Sequence, residues 1–303
     1  MNLRMFLAVM VLAVICPQSG FSQTLPAPAQ WPVVRLTTSG AKNGQAFWSP
    51  DGSSISFVSN RSGSWQIWVM AANGRQLRQL THSTEPVGWP SWAPDGDQLL
   101  YYAGGPAGYR LYRLELATGR VSQLLDEDAR SQDFRPLLSP DGEVLLFDRF
   151  GASSPPNHDL FALYMTTGQL AQLTSDPGYD SDGRWSPDGT RIVFHSDRGA
   201  PMKHHTQVFI MDAKGRNLRQ LTQGPARNGY PSWSPDGLRI AYIAEMAGNR
   251  DIWVMDAAGR HARRITKHSG FDGDPVWSPA GDYLLVSTDR FGGTELALIE
   301  LKR

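Results

Sequence analysis

Two rows of side chains in this sequence have the types and spacing to do chemistry at a shared point. Five residues before a recurring bulky position stand Asn43, Val87, Asp133, Asp180, Asn228 and Asp272; three residues before it stand Gln45, Trp89, Arg135, Asp182, Tyr230 and Asp274. Carboxylates brought together from separate segments would hold a hard cation such as Ca²⁺, or receive a basic group from a partner. The local alternative is that each Asp or Asn caps its own turn, since these side chains stabilise loop backbone. Both rows share strand parity, so they are expected to approach one another from neighbouring units. Taken as a ring, they read as a partner-binding site of Asn43, Trp89, Asp133, Arg135, Asp180, Asp182, Asn228, Tyr230, Asp272 and Asp274. Trp89, Arg135 and Tyr230 would be its anchors.

The seven histidines offer a second chemistry: His82, His158, His195, His204, His205, His261 and His268. His195, His204 and His205 fall in one repeat, where imidazoles beside carboxylates would bind a transition metal. Adjacent histidines in an extended segment point to opposite sides, however, and surface positions explain them equally well. No G-x-S-x-G, H-E-x-x-H, P-loop or dinucleotide glycine pattern occurs, which leaves no catalytic residue to name. The pairs Asn60-Arg61, Asp148-Arg149, Asp197-Arg198 and Asp289-Arg290 recur after one strand of each repeat. Such recurrence is expected of a structural ion pair within each unit rather than of catalysis.

What must position these residues is a repeated element. The phrase WSPDG at 48–52 returns as WAPDG at 92, LSPDG at 138, WSPDG at 185 and 233, and WSPAG at 277, at spacings of 44, 46, 47, 48 and 44 residues. That is the period of a four-stranded propeller blade, and six copies predict an all-β, six-bladed propeller. In the phrase itself Pro presets φ, Asp bonds the turn backbone and Gly takes positive φ. The preceding Trp (Leu138 in the third copy) reads as a wedge between blades: burying one removes about 150–250 Å² from water, at most about 4–6 kcal/mol. The last copy stops one strand short, while Val33-Val34-Arg35-Leu36-Thr37 matches the Q-L-T element that ends other copies. The first strand should therefore complete the last blade and leave no open edge.

Residues 1–22 read as a signal peptide. Arg4 precedes the apolar run Met5 to Ile15, and Gly20-Phe21-Ser22 offers a cleavage site, with a run too short to span a bilayer. Lipidation of Cys16, the only cysteine, is the alternative, but Ile15 stands where lipoprotein signals place a small residue. Residues 23–31 form a Pro-rich leader and residues 32–303 the propeller, and a periplasmic or secreted monomer is expected. Lys plus Arg equals Asp plus Glu at 29 each, so no basic field favours nucleic acid.

The blade phrase W-S-P-D-G, then I-W-V-M-D-x-x-G, then Q-L-T, resembles the TolB-type six-bladed β-propeller over about residues 32–303. The resemblance implies a non-enzymatic propeller of the cell envelope that binds a partner through its central face, a peptidoglycan-associated lipoprotein of the Tol-Pal system being the candidate. TolB proper carries an α/β domain before its propeller, where only residues 23–31 stand here. Sugar lyases built on similar repeats use His and a metal in the channel, so metal-assisted uronate cleavage or small-ligand binding is the alternative function. No cofactor is expected beyond Ca²⁺ at the channel mouth.

Overall fold

In the computed structural model, residues 31–105, 108–125, 131–151, 157–200 and 202–301 are described. They form six four-stranded antiparallel sheets. Each sheet is one copy of the repeat, with its first strand innermost: Asn43–Trp48, Val87–Trp92, Gln132–Leu138, Asp180–Trp185, Arg227–Trp233 and Asp272–Trp277 open blades 1 to 6. These six strands neighbour one another around a central axis. The fourth strands are short, as Arg78–Gln79 and Val121–Gln123 are, which leaves little outer edge to template aggregation.

The phrase behaves as its chemistry dictates. Its glycine has positive φ in every copy, for example 71° at Gly52 and 69° at Gly237, a conformation that costs a residue with a Cβ about 1–2 kcal/mol. Its serine locks the turn, donating to the Asp two residues on at 2.6 Å in Ser49–Asp51 and 2.5 Å in Ser139–Asp141. In the last copy Ala280 replaces that Asp, and Ser278 turns to Asp282 at 2.8 Å instead.

The wedges sit between blades. The indole Nε1 groups of Trp92, Trp185 and Trp233 donate to Phe47 O, Leu137 O and Arg184 O in the preceding blade at 3.3, 3.4 and 3.3 Å. Around them lie six apolar clusters, each spanning two adjacent blades. The last of these seams joins blade 6 to blade 1 through Leu285, Leu296 and Leu298 against Ala46, Ile55 and Phe57. The core is thus a ring of seams.

Closure occurs where the sequence places it. Val33–Arg35 pairs antiparallel with Glu295–Glu300, in the register Val33↔Ile299, Val34↔Leu298 and Arg35↔Ala297. The threonine of the Q-L-T element explains its recurrence: its Oγ1 accepts an N–H of the third strand, from Ile67 to Thr81, Leu160 to Thr174, Val208 to Thr222 and Ile252 to Thr266 at 2.8–2.9 Å. Thr37 does the same for Leu296 at 2.9 Å and also bonds the buried Glu295. Residues 1–30, which carry the signal peptide and most of the leader expected from the sequence, lie outside the described residues. Trp31, read from the sequence as the end of that leader, is instead buried against the seam of blades 5 and 6 with Ile243, Ile252 and Leu301. No helix among the described residues is long and apolar enough to cross a membrane.

Candidate functional site at the channel mouth

The two rows that share parity in the sequence do not share a fate in the structure. Each innermost strand carries a register shift between the fourth and the first residue before its wedge, from Gly44/Phe47 in blade 1 to Gly273/Val276 in blade 6. The residue three before the wedge lies in that bulge with left-handed backbone in all six blades: φ is 50° at Gln45, 58° at Trp89, 51° at Arg135, 57° at Asp182, 52° at Tyr230 and 49° at Asp274. No glycine relieves the strain, which is about 1 kcal/mol or more at each. Bulges re-aim side chains, and these six are turned toward the axis.

Their contacts show the convergence. Arg135 stacks its guanidinium 4.9 Å from the centre of the Trp89 ring and reaches Asp148 Oδ2 at 2.8 Å and Ser181 Oγ at 3.0 Å. Trp89 meets Phe47 edge to face at 5.8 Å, and its backbone N–H donates to Gln45 Oε1 at 2.8 Å. Arg184 of blade 4 stacks 4.7 Å from the Phe47 ring of the opposite blade 1 and 5.3 Å from Trp89, while pairing with Asp182 at 3.1 Å. Its side chain therefore reaches across the axis.

Asp182 is 1 % exposed, and neither of its carboxylate oxygens accepts a hydrogen bond. Burial pushes its pKa up to about 6 despite the pull of Arg184 and Arg135. Burial likewise pushes the Tyr230 phenol up to about 12 and raises Asp274.

The row five before the wedge is turned into the blades. Arg149 holds Asp133 through two hydrogen bonds of 2.6 and 2.9 Å, and Arg290 holds Asp272 at 2.9 and 2.5 Å. Arg198 reaches Asp180 at 2.6 Å, and Arg61 donates to Asn43 at 2.8 Å. The recurring arginines thus make in-blade pairs, but with this row rather than with the Asp or Asn beside them in sequence. Asn228 bonds Gln207 Oε1 at 2.8 Å, and Val87 packs in the seam of blades 1 and 2. The freed neighbours serve the mouth instead: Asp148 accepts Arg135, and Asp197 accepts the backbone N–H of Tyr179 at 2.6 Å and of His204 at 2.7 Å.

Three of the histidines gather around Tyr179. Its ring lies 4.7 Å from His158, 5.8 Å from His195 and 5.4 Å from His204, and His195 continues to Tyr230 at 5.3 Å. His195 is buried and accepts the Tyr230 N–H on Nδ1 at 3.2 Å. Burial, reinforced by Arg135, holds its pKa well below the usual imidazole value, and burial also lowers His158. His158, Tyr179 and His204 line a cleft of about 400 Å³ beside the mouth. His205 turns away to Pro225 O at 3.0 Å, while His82, His261 and His268 lie in other blades. Among the described residues no three His, Cys, Asp or Glu side chains are grouped to hold a metal.

The sequence reading missed Arg184, Phe47, Asp148 and Tyr179. Arg184 had a signal, because the residues just before the wedges are Phe47, Ser91, Leu137, Arg184, Ser232 and Val276, and only one of these is charged.

Comparison with known proteins now has a geometry to attach to. The TolB beta propeller domain matches residues 28–155 and 200–302, well over half the chain. The chain belongs to the TolB β-propeller family. It is 34 % identical over 165 residues to a TolB homolog of Chlorobium luteolum, covering 53 % of this chain and 34 % of that protein. It is also 28 % identical over 151 residues to an uncharacterized peptidase of Bacillus subtilis, covering 50 % of this chain and 21 % of that one. The matched stretches thus span about a fifth to a third of the length of these curated relatives. Among solved structures, TolB from Acinetobacter baumannii superposes with a TM-score of 0.64 at 22 % identity, covering 92 % of this chain and 66 % of that one. An oligogalacturonate lyase in complex with manganese superposes with 0.63 at 17 % identity, covering 92 % and 96 %. Both likenesses speak for the fold.

Proposed function

We propose that this TolB-type propeller is an exported, non-enzymatic binding module of the cell envelope that takes a partner protein at the channel mouth. One observation carries the reading. Six backbone positions are held in the same strained conformation, yet they carry Gln45, Trp89, Arg135, Asp182, Tyr230 and Asp274, a mixed set on a repeated frame in which Trp89 and Asp182 are buried and the other four partly exposed. Strain kept at one face and spent on dissimilar side chains marks recognition rather than packing. Trp, Tyr and Arg are the residue types that dominate binding hot spots, and a rigid frame costs little ordering entropy.

Membership in the TolB family and the signal-like first 22 residues support a periplasmic setting, with a peptidoglycan-associated lipoprotein as the first candidate partner. Asp133, Asp180 and Asp272 serve in this reading as the posts that hold the mouth, and Ca²⁺ is not required.

The test is calorimetric titration of residues 23–303 with the soluble part of the same organism's peptidoglycan-associated lipoprotein. Binding is expected, and Tyr230→Ala should weaken it by about thirtyfold, a hot-spot loss of about 2 kcal/mol. Absence of binding, together with unsaturated uronate released from oligogalacturonate when Mn²⁺ is supplied, would replace this reading with the lyase, whose support is the imidazole cluster around Tyr179.

A further inference from the structure

Beside the channel mouth, where blades 1, 2 and 6 meet, lies a second pocket of about 320 Å³. Asp274 and Gln45 line it from the inner ring, and Trp65, Tyr102, Tyr109 and Phe271 supply aromatic walls. The walls are built in. Tyr102 and Tyr109 pack edge to face at 5.6 Å, and both contact Phe134 at 5.5 and 5.0 Å. Tyr102 and Phe271 sit against bare backbone: a Cβ on Gly88 would fall 2.4 Å from the Tyr102 ring, and one on Gly273 2.3 Å from Phe271. Trp65 is 38 % exposed, an apolar side chain left at the rim.

Asp274 differs from the other carboxylates at the mouth. Asp148 has Arg135 at 2.8 Å and Asp182 has Arg184 at 3.1 Å. For Asp274 the direct contact is Ser287 Oγ at 3.5 Å, and the nearby arginines act on it only at longer range. Arg250, on the Phe271 side, lies 5.4 Å from that ring but is committed to Glu245 at 2.7 Å. Among the described residues the pocket therefore holds a carboxylate with no cation in direct contact, bordered by aromatic side chains of the kind that attract positive charge.

We propose that this pocket binds an alkylammonium group, with Asp274 as the counter-charge and hydrogen-bond acceptor and Trp65, Tyr102, Tyr109 and Phe271 as the cage. A primary ammonium fits the chemistry best because it donates hydrogen bonds to the carboxylate while its methylene stem lies on the rings. A neutral ligand would leave the carboxylate with only the longer-range arginines to compensate it. The volume suits one small headgroup with a short chain, whether free or carried on a lysine side chain. This site stands whether or not the channel mouth binds a protein.

The experiment titrates residues 23–303 with butylammonium, with N-acetyl-lysine amide, and with the uncharged alcohol of the same length as the first. Both ammonium probes should bind saturably and the alcohol should not, with affinity falling at least about tenfold in Asp274→Asn. The inference is overturned if the unaltered chain binds neither ammonium, if the alcohol binds equally well, or if Asp274→Asn binds undiminished. Should Asp274→Asn fail to fold, the alcohol comparison and the rim variant Trp65→Ala, which should weaken both probes, decide in its place. Binding of butylammonium without the lysine derivative assigns the pocket to free amines; binding of both admits a side chain.

Discussion

A single residue separates Asp272 from Asp274, and Asp180 from Asp182, yet the members of each pair do opposite work. The outer one is closed by an arginine of its own blade, at 2.5 Å for Asp272 and 2.6 Å for Asp180. The inner one lies in a left-handed bulge and faces the axis. Among the described residues, Asp182 accepts no hydrogen bond and Asp274 has no direct cation. The same side-chain chemistry is a rivet in one place and a sparsely bonded group at the axis in the other. The difference lies in the backbone between them, so residue type alone does not mark a site on a repeat protein.

The largest effect that would test this contrast is on the scaffold side. Deleting residues 32–38 removes Arg35 and Thr37 from the buried Glu295, which also holds Asn43 at 3.0 Å. The deletion variant should show no cooperative unfolding transition, and an unchanged melting temperature would sink the clasp. Next, Arg149→Met strands the Asp133 carboxylate, 2 % exposed, inside blade 3. A loss of about 3–5 kcal/mol is expected by urea unfolding, whereas Asp182→Asn in the inner ring should cost far less. Equal losses would erase the distinction between the rows.

The third test is by pH. Because Asp182 is raised to about 6 in the folded state, the folded chain keeps a proton that the unfolded chain releases from about pH 4 upward. Its contribution to stability is thus full below about pH 4 and lost as the pH climbs to about 6, on the order of 2–3 kcal/mol. Unfolding midpoints from pH 4 to 6 should fall less steeply in Asp182→Asn, and parallel slopes would refute the assignment. Smallest, Ser234→Ala removes a hydroxyl that donates to Asp236 at 2.5 Å and accepts the Arg239 N–H at 2.9 Å and should cost about 1–2 kcal/mol, with no effect on binding at the mouth.

Much of the architecture was legible because turn chemistry repeats. A Pro-Asp-Gly turn after an apolar wedge, six times at blade spacing, leaves few other folds, and Val33–Thr37 completes the count. The mouth was legible as a place but not as a geometry. Parity placed Asp180 and Asp182 on one side of a strand, and the bulge between Ser181 and Arg184 separates them. A sign of it was present. Pro90, Pro136, Pro231 and Pro275 stand two residues before their wedges, and proline inside a strand points to an edge or a bulge. The bulge carbonyls are put to use between blades, Pro90 O accepting from Ser56 at 2.6 Å and Pro136 O from Ser91 at 2.5 Å. Arg184 crossing to Phe47 was beyond sequence reasoning, since no local rule says which of six blades lies opposite.

The clasp also has a mechanical meaning. Val33 pairs with Ile299 and Arg35 with Ala297, so the first strand begins beside the end of the last. Tension drawn through both ends of the chain therefore loads these hydrogen bonds one after another rather than all together. A ring closed this way resists heat through its six packed seams, but it would peel open under a small pulling force, starting from Val33.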